Sequence, residues 1–87
     1  MENELRAILL ETAHAYAAAD ACAMSTISRR CRNDSGFFAR ITDPSKSFTV
    51  RTYDEVMGWF VVHWPEGKSK PFCLLKWSEE TRVRRAT

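Results

Sequence analysis

The stretch Ala13-His14-Ala15-Tyr16-Ala17-Ala18-Ala19-Asp20-Ala21-Cys22-Ala23-Met24-Ser25-Thr26-Ile27-Ser28-Arg29 decides how this chain folds. Two helices crossing at a sharp angle need a small residue where the first lies against the second, and Ala17 supplies it. Four residues on, the tight turn prefers a small side chain, and Ala21 stands there. Cys22 can point inward as a small apolar group. Six residues after Ala21, the β-branched Ile27 can anchor the second helix on the first. Small, small, apolar and β-branched at those steps are what a helix-turn-helix requires.

Upstream, Leu5, Ile8, Leu9, Thr12, Ala13, Tyr16 and Ala17 recur at three- and four-residue steps, one face of an amphipathic helix from about Asn3 to Ala19. Asn3 can cap it, and Glu2 and Glu4 suit its positive end. After the break at Asp20–Ala23, a second helix is expected from Met24 to Arg32, with Ile27 and Cys31 on one side and Ser25, Ser28, Arg29 and Arg32 on the other. Asn33-Asp34-Ser35-Gly36 reads as a turn, and Asp34 or Ser35 can cap a short third helix holding Phe37, Phe38 and Ile41. Thr42–Ser47 is a loop. Thr52-Tyr53-Asp54-Glu55 matches a capping box opening a further helix that buries Tyr53, Val56, Met57 and Phe60 and ends at Pro65-Glu66-Gly67. Gly58 inside it costs roughly 1 kcal/mol against alanine and hints at close packing. Phe72–Trp77 fits a short strand or a helical turn, and Thr81–Thr87 reads as a basic, frayed end.

Eighty-seven residues make one modest core, and an apolar fraction of 45% with 28% charged residues is ordinary for a globular protein. The expectation is therefore an all-α domain of four or five helices. Its helix-turn-helix body spans residues 1–66. Residues 67–87 form a basic extension with short β or irregular structure, serving as a dimerisation arm or partly disordered. The longest uncharged run, Val56 to Pro65, is far below the ~20 residues of a membrane span, and the acidic start lacks the head of a secretory signal. A cytoplasmic protein is expected. Cys22, Cys31 and Cys73 fit no metal spacing and read as reduced, mostly buried thiols.

The net charge of +2 hides segregation. Residues 1–24 carry −3, 25–53 carry +4, 54–66 carry −3 and 67–87 carry +4. A basic block directly after the turn points to a nucleic-acid partner more than the total does.

The string Thr26-Ile27-Ser28-Arg29, placed after Ala17 and Ala21, resembles the DNA-reading unit of lac-repressor-type and phage-repressor regulators, whose second helix often carries Thr-Val-Ser-Arg. The wider chain, with Asn33–Phe38, Thr49–Thr52 and Trp59–Pro65, is similar to short stand-alone proteins of prophage character with this motif. Two positions depart from the family: Ala21 replaces the usual turn glycine, and Ala23 the usual serine cap. The resemblance implies a second helix that enters the major groove by its N-terminal half. Met24, Ser25, Ser28 and Arg29 are then the expected base readers, Arg29 pairing with a guanine. Thr26, Arg30, Arg32, Lys46 and Arg51 are expected to hold phosphates. A competing register makes Ser25–Arg32 the positioning helix and Ser35–Ile41 the reader.

Function is thus expected to be sequence-specific binding of double-stranded DNA by a homodimeric transcriptional repressor, residues 59–77 forming the dimer contact. The main alternative is a small phage-type antagonist using the same fold to bind a protein. Another is nonspecific DNA binding through Lys68, Lys70, Lys76, Arg82, Arg84 and Arg85. No enzyme is expected. His14 and His63 stand alone, no serine has a base partner or nucleophile elbow, and there is no phosphate-cradling glycine loop. No cofactor, metal or small-molecule substrate is expected.

Overall fold

The computed structural model describes the backbone of residues 2–86 and the side chains of residues 3–81. Its described residues form five helices and no strand: α1 (Glu2–Asp20), α2 (Met24–Arg32), α3 (Phe37–Ile41), α4 (Val50–His63) and α5 (Phe72–Ala86).

The apolar stripe of α1 buries Leu9, Ala13 and Tyr16, with Thr12 beneath the same surface. Asn3 does not cap the helix; its Oδ1 accepts from Arg6 Nη1 at 2.8 Å. At the other end Ala21 takes φ 50, and the Cys22 N–H bonds to the Ala17 carbonyl at 3.1 Å. This six-to-one bond around a left-handed residue stops the helix and satisfies one of its free carbonyls. Alanine pays for it with roughly 1–2 kcal/mol that a glycine would avoid.

The turn sends α2 across α1, where Ile27 is fully buried. Asn33, at φ 54, ends α2 with its N–H on the Arg29 carbonyl. Asparagine tolerates that conformation better than most residues. Asp34 Oδ1 then accepts from the Gly36 N–H, folding the connection into α3. The residue that enters α3 is thus Gly36 rather than Asp34 or Ser35. All three apolar residues of α3, Phe37, Phe38 and Ile41, are buried.

α4 starts earlier than the Thr52–Glu55 box predicts. Thr49 is its cap, taking the Thr52 N–H on its Oγ1 at 3.1 Å. Glu55 is drawn instead to Arg32 and Arg51. The helix ends at Trp64, whose ψ of 136 is the extended conformation that the following Pro65 favours.

Residues 67–87 differ most from expectation. They carry α5, a helix of fifteen residues, where a strand or single turn was expected. Leu74 joins the common core. Cys73 Sγ lies 3.2 Å from Thr12 Oγ1 on α1, and the Trp77 indole N–H donates to Asp54 Oδ1 on α4 at 3.0 Å. An ideal methyl on Gly58 would lie 3.6 Å from the Trp77 ring, so α5 and α4 meet in ordinary contact there.

An aromatic cluster fills the centre, with Tyr16 5.4 Å from Trp59 and 5.5 Å from both Phe60 and Trp64. Arg6 is the one buried cation among the described residues. Its guanidinium donates to the carbonyls of Ile41 (2.7 Å) and Lys46 and lies over the Phe48 ring. It straps the α3–α4 loop to α1. No described helix is long and apolar enough to cross a membrane.

Candidate nucleic-acid interface

α2 packs on α1, α3 and α4 through its Ile27–Ser28 side and leaves the opposite side exposed. On its outer side Ser25, Arg29 and Arg32 follow at steps of four and three residues and are exposed, so they share one face. Thr26 is half-buried, as is Met24, which packs against the core.

Ser28 is the clear correction. It is fully buried: its Oγ donates to the Met24 carbonyl at 3.0 Å and accepts the Phe38 N–H at 3.1 Å. Phe38 is the second residue of α3 and has no carbonyl within its own helix to bond. Ser28 therefore ties α2 to α3, and in this arrangement its hydroxyl is not presented to a base edge.

The basic residues divide by partner. Arg30 pairs with Asp20 at 2.9 Å, and Arg32 with Glu55 at 2.7 Å. Arg51 reaches the same Glu55 at 3.2 Å, and Arg40 on α3 pairs with Asp34. The hydrogen bond from Arg40 holds the Asp34 carboxyl below its ordinary range, and that from Arg32 does the same for Glu55. Arg29 and Lys46 are exposed and make no ion pair among the described residues. Of the three arginines on α2, Arg29 alone has no ion-pair partner among the described residues.

Arg32, Arg40 and Lys46, with Asp34 among them, line a small open cavity of about 470 Å³ together with the Thr49 and Thr52 segment, so α2, α3, the loop and the start of α4 share one flank in which cations outnumber acids. Arg40 carries no signal in the sequence beyond membership of the +4 block. The competing register loses its reader: α3 has five residues, and the side that would enter a groove is buried as Phe37, Phe38 and Ile41.

The other described titratable groups form no second constellation. Burial pushes the Cys31 thiol up to about 11, and the Cys22 thiol is raised as well, chiefly by burial. All three cysteines are free and half-buried. His14 is exposed, and His63 stacks on Trp59 at 4.5 Å with Nδ1 3.0 Å from the Trp59 carbonyl. No group of three or more His, Cys, Asp or Glu residues among those described could hold a metal ion.

Set against protein-family models, curated proteins and solved structures, the chain matches none of them.

Proposed function

We propose that this chain binds double-stranded DNA in a sequence-dependent way through α2, as a homodimeric transcriptional regulator that lowers transcription. The observation that carries the reading is the break at Ala21. A left-handed residue closed by the Cys22–Ala17 bond turns the chain at the predicted step, and Arg29 is exposed with no ion pair among the described residues. Ser25 and Arg29 are the base readers in this reading, with Met24 at the entrance able to touch a thymine methyl. Thr26, Arg30, Arg32, Lys46 and Arg51 hold phosphates, joined by Arg40. Ala23 offers no side-chain cap, so the first N–H groups of α2 remain for a phosphate oxygen as well.

Selection of bound sites from a random duplex pool, followed by titration with competitor DNA, tests the proposal. Arg29→Ala is expected to lose sequence preference by a factor of about 5–150, the ~1–3 kcal/mol of one bidentate guanine contact. Lys46→Ala is expected to weaken all duplexes alike and make the salt dependence shallower. A pool that yields no preferred sequence, or an Arg29→Ala protein with the parent's preference, overturns the reading.

The alternative of a protein-binding module has one observation in its favour. Val62, Phe72 and Leu75 are apolar yet 77%, 79% and 52% exposed, while most arginines near α2 already have a carboxylate. A module of that kind shifts no duplex at any salt concentration.

A further inference from the structure

Among the described ion pairs, Glu55 is the carboxylate shared by two arginines, whereas Asp20 and Asp34 hold one each. Its Oε2 accepts from Arg32 Nη1 at 2.7 Å and its Oε1 from Arg51 Nε at 3.2 Å, so each oxygen carries a guanidinium. The two arginines come from different elements. Arg32 closes α2 and Arg51 is the second residue of α4, and the packing of α2 on α4 brings them to one acid. Arg32 also lies over the Phe37 ring at 5.8 Å, which steadies the α2 side of the bridge.

The fold has little use for this bridge. Its side chains are open to water, 33% for Arg32, 48% for Glu55 and 89% for Arg51, and ion pairs that exposed add little to stability. Nor does α4 use the carboxylate as a cap: Glu55 is its sixth residue, and Thr49 takes that place. The hydrogen bond from Arg32 holds the Glu55 carboxyl below its ordinary range, so it is an anion at neutral pH. What remains is an oxyanion with both oxygens on guanidiniums, one of them from the flank that also carries Lys46. A phosphodiester offers the same donors the same thing, two unesterified oxygens and one negative charge.

We propose that Glu55 is an internal stand-in for a duplex phosphate: in the complex a backbone phosphate takes Arg32 and Arg51 from it, and until then the carboxylate holds duplex affinity down. The inference deepens the reading of α2 as a DNA reader and rests on it. It adds one defined phosphate position, between the end of α2 and the start of α4, and a brake that acts on every duplex alike.

Glu55→Gln keeps the size of the side chain and removes its charge. Fluorescence anisotropy on labelled duplexes over a salt series is expected to show binding roughly two- to thirtyfold tighter than the parent's, the strength of two exposed ion pairs that binding no longer breaks. Log affinity is expected to fall more steeply against log salt, by up to about one unit. The gain is expected on preferred and scrambled duplexes alike, because a phosphate carries no sequence, and to be absent when Arg32 and Arg51 are both alanine. Glu66→Gln removes an exposed acid beyond the opposite end of α4 and is expected to bind as the parent does. The melting temperature of Glu55→Gln is expected to stay close to the parent's; a large drop would assign the bridge to the fold and overturn the proposal. A parent that binds duplex with Glu55→Gln no tighter, a gain no larger than that of Glu66→Gln, or a gain that survives loss of both arginines overturns it too, and leaves DNA reading by α2 standing. A parent and a Glu55→Gln protein that both fail to bind any duplex overturn that reading and the proposal together.

Discussion

Replacing Ser28 by alanine separates a structural role from a reading role at one atom. The Ser28 hydroxyl is buried and accepts the Phe38 N–H at 3.1 Å, while its own proton goes to the Met24 carbonyl at 3.0 Å. The Met24 carbonyl keeps its place in the α2 ladder when the hydroxyl is removed, so the loss falls on Phe38. Its N–H is left inside the protein at the start of a helix, a cost of about 1–3 kcal/mol. Alanine's better helix propensity returns roughly 0.5 kcal/mol. The net destabilisation is then about 0.5–2.5 kcal/mol, and in a domain of this size that lowers the melting temperature by roughly 2–20 °C. Thermal and urea unfolding followed by circular dichroism measure it. DNA preference, read on the folded fraction at low temperature, is expected to stay as in the parent. A Ser28→Ala protein within about 0.5 kcal/mol of the parent, with its base preference altered, would refute the buried-bond account and restore the reading role.

Other perturbations follow from the same geometry. Ala21→Gly removes the left-handed strain at φ 50 and is expected to raise stability by about 0.5–1 kcal/mol after the entropy of glycine is subtracted, measured by urea unfolding. Gly58→Ala is expected to stabilise by up to about 1 kcal/mol, since the added methyl meets only the Trp77 ring at 3.6 Å; a lower melting temperature would show that the α4–α5 contact has no room. Cys31, raised from 9.0 to about 11, holds its proton more tightly in the folded chain than in the unfolded one. Its contribution is complete below about pH 9 and is lost as pH rises from 9 towards 11, because the unfolded chain releases the proton first. Stability of Cys31→Ala measured against pH is expected to lack that decline, and alkylation of Cys31 at pH 8 is expected to be slow until the protein is denatured.

What the sequence made legible was whatever depends on spacing along one helix. The stripe of α1 and the stop at Ala21 follow from periodicity and from the geometry of a single turn. The charge block around α2 was equally plain. What it hid depends on contacts between distant segments. A helical wheel puts Ser28 on the polar side of α2, and only the packing of α3 over that side turns its hydroxyl inward. The Thr52–Glu55 box fails because α4 begins at Val50, which makes Thr52 its third residue, with its own N–H on the Thr49 hydroxyl. The apolar run Phe72–Trp77 is too short for periodicity to separate helix from strand. Of the candidate site, the exposed Arg29 could be picked out, whereas Arg40 could not, and the pairing of Arg30, Arg32 and Arg51 with carboxylates had no signature in the sequence.

Arg6 carries a consequence for how the molecule opens. A surface loop is ordinarily the first part of a domain to fluctuate, at little cost. Here the segment bearing Lys46 cannot lift away alone, because doing so strips a desolvated guanidinium of the carbonyls of Ile41 and Lys46, acceptors that lie 35 and 40 residues from it along the chain. Loop and amino-terminal helix are thereby fused into one cooperative unit, and proteolytic trimming of the first turns would loosen the basic flank at the far end of the strap.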